Sequence, residues 1–119
     1  MSKNLTKPEI IRSKQDIDRI FKEGKKFSTL GMRLIVVANN LNFDRFIIIP
    51  AKHYGRAVDR NKIRRQVKEI WRNYPQRLLA SMQSQTTNGR DIAVIVYPGK
   101  VFDFSLLEST VTSLLDKIN

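Results

Sequence analysis

Arg60-Asn61-Lys62-Ile63-Arg64-Arg65-Gln66-Val67-Lys68-Glu69-Ile70-Trp71-Arg72 is a cation-rich stretch threaded by an apolar stripe. Ile63, Val67, Ile70, Trp71 and, just beyond, Tyr74 recur at i, i+4, i+7, i+8 and i+11, the spacing of one α-helical face. At about 100° per residue these five lie within roughly 50° of a common direction, whereas Asn61, Arg64, Arg65, Lys68 and Arg72 fall between about 100° and 200° from Ile63. One helix therefore buries an aliphatic and aromatic edge and offers a comb of guanidinium and ammonium groups on its other side. A merely solvated face normally carries both signs at i,i+4 to support the helix. Glu69 is the only acid in this stretch, so the pattern favours contact with a polyanion.

Composition agrees. Twenty-two Lys and Arg against eleven Asp and Glu give a net charge of +11 in 119 residues. Self-repulsion of that size is normally tolerated when the working partner is itself strongly anionic. The length suits one domain with one core, residues 1–119, with Met1 to Ile11 read as a loosely ordered lead-in. An anionic membrane would call for exposed aromatic residues on the basic helix, but here that helix's apolar edge is better used as core. No apolar run is long enough to span a bilayer, and Met1 to Lys7 lacks the apolar stretch of a secretory signal. A cytoplasmic protein without a membrane partner is expected. Cysteine is absent, which removes disulfides, thiolate metal sites and a thiol nucleophile.

Along the chain, Ser13 and Asp16 resemble a capping box opening a helix that carries Ile17, Ile20 and Phe21 and closes at Gly24. Met32 to Ala38 reads as a strand, Asn39-Asn40-Leu41-Asn42 as a turn, and Arg45 to Ile49 as the antiparallel neighbour of the first strand. Both strands are apolar on two sides, so each face of the sheet needs cover. The basic helix follows and ends near Pro75, with Leu78, Leu79 and Met82 available for a further helical turn. Gln83 to Arg90 is a polar loop containing Asn88-Gly89, and Asp91 to Tyr97 is another strand that Pro98-Gly99 ends. Ser105 with Glu108 forms a second capping box before the stripe Leu107, Val111, Leu114, Leu115 and Ile118. The order α-β-β-α-β-α predicts an α+β fold, a two-layer α-β sandwich.

The sequence carries binding equipment and no catalytic centre. Its acids are scattered singly, and Asp16 and Asp18, two apart on a helix, face different sides. The only histidine, His53, sits in a loop, and Gly55, Gly89 and Gly99 each fit an ordinary turn rather than a phosphate-binding loop. No catalytic residue and no protein-held metal is expected. Lys52 and Arg56 add cations just before the basic helix. Arg side chains suit phosphates because their donors form a fixed planar fork. Phe21 and Ile17 on the first helix have two readings: a stacking surface for an unpaired nucleotide, or a core staple.

The segment from Arg60 to Glu69 resembles the helix motif of the bacterial ribonuclease P protein component, R-N-R-x-K-R-x-x-R-E. Asp16 to Gly24 is similar to that family's D-F-x-x-V-F-x-x-G helix, and Lys52 to Val58 to its S-K-K-x-G-x-A-V approach. The resemblance covers nearly the whole chain from Arg12 on. It implies a sandwich in which the basic helix makes an unusual left-handed βαβ crossover between parallel strands, an exception to the usual hand. It implies the small subunit of a ribonucleoprotein whose RNA performs Mg2+-dependent removal of 5′ leaders from precursor tRNA. The partners implied are the ribonuclease P RNA and precursor tRNA, with no stable protein partner required and Mg2+ held mainly by the RNA. By the same resemblance Arg60, Asn61, Lys62, Arg64, Arg65 and Lys68 meet the catalytic RNA, and Ile17, Phe21 and Lys52 lie at the cleft for the leader.

Departures from the family pattern fall mostly on the leader side. Ile17 stands where Phe is common, Ile47-Ile48-Ile49-Pro50-Ala51 replaces a smaller, more polar segment, and His53 replaces a lysine. At 62, 64 and 68 Arg and Lys are exchanged, which keeps charge while moving the planar fork. On composition alone, a structural RNA-binding protein, such as a small ribosomal or ribosome-assembly protein, fits nearly as well.

Overall fold

The computed structural model describes residues 9–29, 31–76, 88–98 and 103–118. Its elements run α1 (Lys14–Glu23), β1 (Lys25–Thr29), β2 (Met32–Ala38), β3 (Arg45–Pro50), α2 (Ala57–Arg72), β4 (Arg90–Val96) and α3 (Phe104–Asp116). The fold is the expected α+β type, with β1 as an additional strand. Its sequence, Lys-Lys-Phe-Ser-Thr, lacks an apolar alternation, and lysine on an edge strand discourages further pairing.

The sheet order is β1-β2-β4-β3. From Asp91 to Val96 every residue of β4 is buried, and a strand enclosed on both faces belongs in the middle of a sheet. It therefore lies between β2 and β3, which corrects the expected antiparallel pairing of those two strands. β2 pairs antiparallel with β1 and β4, while β3 runs parallel to β4 with Ile47 opposite Ala93 and Ile49 opposite Ile95. A parallel pair needs a long crossover, and α2 lies within it. The free edge of β3 is met by the end of the lead-in. Ile10 bridges Phe46 in parallel, the Ile11 amide donates to the Phe46 carbonyl at 3.1 Å, and Ile11 is buried. That part of the lead-in is docked rather than loose.

Alternation along the strands sends side chains to two cores, one on each face of the sheet, where a single core was expected from the chain length. Leu34, Phe46, Ile92, Val94 and Val96 meet Ile63, Val67, Ile70 and Trp71 of α2 and Leu107, Val111, Leu114 and Leu115 of α3. Ile35, Ala93 and Ile95 face the other way, against Ile20 of α1 and Ile11. Both helical stripes read from the sequence are thus core faces.

The helix starts differ from expectation. Ser13 makes no side-chain cap bond, and the Asp16 carboxylate, the other half of the anticipated box, pairs with Arg45 3.3 Å away. α3 is capped by Asp103, whose carboxylate accepts from the Leu106 amide at 2.7 Å, two residues before the anticipated box at Ser105. Leu78, Leu79, Met82 and Gly99 lie outside the described residues. Gly89 is required by close approach: a Cβ there would meet the Phe43 carbonyl at 2.1 Å, where its amide donates to Leu41 and its carbonyl accepts from Asn39.

Candidate nucleic-acid interface

α2 begins where β3 ends, and several bonds set its first turn. Asp59 accepts from the Arg56 amide at 3.1 Å, and the Tyr54 amide donates to Ala51 at 3.0 Å. The Arg60 guanidinium donates to the carbonyls of Ala51 and Pro50 at 2.9 and 3.0 Å. Arg60 was expected among the RNA-facing cations; here its fork also ties the helix to the strand that precedes it. Burial, and behind it the charge of Asp59, raises the Tyr54 phenol above its ordinary value.

With Ile63, Val67, Ile70 and Trp71 buried, the opposite side of α2 faces outward. Asn61, Arg64, Arg65, Lys68, Glu69 and Arg72 line one shallow, open concavity there. Arg64 donates to the Asn61 side-chain oxygen at 3.1 Å, which leaves the Asn61 amide nitrogen as an outward donor. The lone acid, Glu69, is held at one end by Arg72 and by Asn73 at 3.2 Å. Among the described residues no carboxylate pairs with Arg64, Arg65 or Lys68. Their charges are thus uncompensated along about one turn and a half of helix. Lys62 is exposed but outside this concavity, on the helix's flank, and Lys52 and Arg56 are exposed near its N-terminal end.

The second predicted group lies across the sheet. α1 packs on β2 and β4, leaving Ile47, Ile49 and Ala51 of the β3 side and Tyr97 only partly covered. Strand register places Arg33, Ile95 and Ile49 in one row on this face. Ile17 packs into the small core as an apolar wall, whereas Phe21 is 40% exposed and belongs to neither core. The core-staple reading of Phe21 therefore fails: its ring stays partly open to solvent on α1. Lys52 directly follows Ala51 at the end of β3. The comb of α2 and the partly covered apolar residues beside α1 thus lie on opposite faces of the sheet, with Lys52 in the turn between β3 and α2.

Sequence reasoning missed a buried ion network beneath α1. Asp91 is fully buried and accepts two bonds from Arg45, at 2.7 and 2.6 Å, and one from Asn39 at 3.0 Å. Arg45 also reaches Asp16, and its guanidinium stays protonated more firmly because Asp91 bonds to it. A second buried acid, Asp44, takes Arg90 at 2.9 Å. A clue was present: Arg45, Arg90 and Asp91 sit in strands too apolar to lie at the surface, and buried charges require partners. Removing one partner of such a pair costs about 3–5 kcal/mol. Among the described residues no three His, Asp or Glu side chains group so as to hold a metal ion, and no helix is long and apolar enough to cross a membrane.

Comparison with known proteins places this geometry. The chain is 35% identical over 85 residues to the ribonuclease P protein component of Nitrosococcus oceani, covering 71% of this chain. That match spans 64% of the Nitrosococcus protein, just under two thirds of its length. It is 31% identical over 110 residues to the corresponding protein of Borreliella afzelii, covering 88% of this chain and 91% of that one. The solved structure of the ribonuclease P protein from Thermotoga maritima superposes with a TM-score of 0.73 at 29% identity, covering 93% of this chain and 98% of that one. A family model described as Ribonuclease P matches residues 5–119, and by that match the chain belongs to the family of bacterial ribonuclease P protein components.

Proposed function

We propose that this chain acts as the protein subunit of a ribonuclease P ribonucleoprotein in the cytosol, binding the catalytic RNA and the 5′ leader of precursor tRNA. The observation that carries the reading is the uncompensated row Arg64, Arg65 and Lys68, held outward by the buried edge of α2. That surface meets the phosphates of the RNA subunit, with Asn61 offering a donor to a sugar or base edge. The cleft beside α1 takes the single-stranded leader: Phe21 stacks, Ile17 and the half-covered isoleucines supply an apolar wall, and Lys52 neutralises phosphate at the end.

In this reading the hydrolytic step belongs to the RNA with its Mg2+, and the chain contributes binding, orientation and charge. By neutralising phosphates where RNA subunit and substrate approach, it lowers the Mg2+ concentration needed and favours leader-bearing precursor over leaderless product.

The test mixes purified protein with precursor tRNA at low Mg2+, with and without ribonuclease P RNA. Leader release that requires both partners together is expected. Cleavage by the protein alone would overturn the reading, and RNA binding without any help to cleavage would leave a structural RNA-binding protein.

A further inference from the structure

We propose that Asp16, acting through Arg45 and Asp91, is a positioning residue that seats α1 and thereby sets the affinity of the neighbouring cleft for a single-stranded RNA 5′ extension. The proposal rests on the reading of that cleft as the leader site.

α1 is held at a few points, of which the Asp16 contact is one. It is 10 residues long, and Ile20 is its one fully buried side chain. A helix that short is marginal without tertiary support, and Ser13 gives its N-terminus no side-chain cap. Its C-terminal end is pinned by backbone approach: a Cβ on Gly24 would lie 2.4 Å from the Ile35 side chain. Its N-terminal half is pinned by charge. Asp16 meets Arg45 at 3.3 Å, while Arg19 donates to the Ala38 carbonyl at 2.5 Å and lies 3.8 Å from Asp91. Ile17 and Phe21, the cleft-side residues, fall between the two pins.

The network has a fixed half and an adjustable half. Asp91 is enclosed and engaged by Arg45 and Asn39, so Arg45 is held rigidly to the sheet. Only the Nη1 of that guanidinium turns to the helix, where Asp16 keeps 31% of its side chain exposed. Asp16→Asn thus releases the helix end without uncovering a buried charge.

Two accounts of Asp16 predict opposite signs. If it acts only as an acid near RNA, removing its charge strengthens binding through reduced repulsion. If it seats α1, removing it weakens leader binding although the protein becomes more cationic.

The experiment uses the full chain assembled with ribonuclease P RNA and measures Kd for precursor tRNA and for leaderless tRNA. Asp16→Asn, Phe21→Ala and the double variant are compared with the wild type, with thermal melts confirming folding. Asp18→Asn, an exposed acid on the same helix outside the network, is the charge control. We expect Asp16→Asn to weaken leader-dependent binding about three- to tenfold, with leaderless binding unchanged and no further loss in the Phe21→Ala background. Asp18→Asn should not weaken binding. A leader preference that survives or grows in Asp16→Asn overturns the proposal alone, as do losses that multiply in the double variant. A wild type indifferent to the leader overturns the underlying reading, and this proposal with it.

Discussion

The Trp71 indole lies 4.8 Å from the Phe46 ring, with the planes 9° apart, and so binds the cationic helix to β3 through stacked aromatics. Tyr74 extends the stack at 6.2 Å and donates from its hydroxyl to Asp116 on α3 at 2.7 Å. The outward aim of the cations depends on this inward anchor. Trp71→Ala should lower unfolding free energy by about 3–5 kcal/mol, read by chemical denaturation. A variant as stable as the wild type would show that the stack does not anchor α2.

Arg65 and Lys68 should report on RNA without reporting on folding. With about five or six phosphates neutralised, the logarithm of affinity should fall with log salt at a slope near −4. Arg65→Ala should make that slope shallower by about 1, while stability stays within about 0.5 kcal/mol of the wild type. Titrating ribonuclease P RNA at several salt concentrations measures both slopes. A wild-type slope near zero would remove the electrostatic account.

Arg60 should behave differently from Arg65. Its guanidinium serves the carbonyls of Pro50 and Ala51, so Arg60→Ala should cost about 1–2 kcal/mol of stability, partial exposure reducing the full value of charged hydrogen bonds. Equal melting temperatures for Arg60→Ala and Arg65→Ala would contradict this.

At a net charge of +11, the folded chain should gain stability from sulfate or phosphate, since an anion bound only by the native state shifts the equilibrium toward it. Thermal melts at constant ionic strength, with chloride replaced by sulfate, test this. Arg64→Ala combined with Lys68→Ala should blunt the gain.

The Tyr54 phenol supplies an alkaline signature. Its folded pKa is raised above the ordinary 10.0, first by burial and then by Asp59. Stability from such a group is intact below the unfolded value and is lost as pH rises through the folded one. The stability of the wild type relative to Tyr54→Phe should therefore hold steady well below pH 10 and fall above it. Denaturation midpoints on both sides of that pH give the answer, and a difference that never changes would refute it.

The stripe from Ile63 to Tyr74 and the one from Leu107 to Ile118 signal their helices because a 3.6-residue period is a property of the segment itself. β4 was legible from its unbroken apolar run, whereas β1 was hidden by its lysines. Ser13 and Asp16 have the spacing of a cap, yet Asp16 is claimed by Arg45, 29 residues away. Phe21 could not be assigned from its neighbours in sequence, because its exposure depends on where α1 sits across the sheet.

The chain alone determined that one helix would hide an aromatic edge and show a cationic one, since composition and period suffice for that. Only the tertiary structure decided that β4 enters between β2 and β3, that Arg60 turns back onto β3, and that Asp16 meets Arg45 of a buried pair. Those outcomes depend on which distant segments meet, and proximity in space is fixed by topology rather than by spacing along the chain.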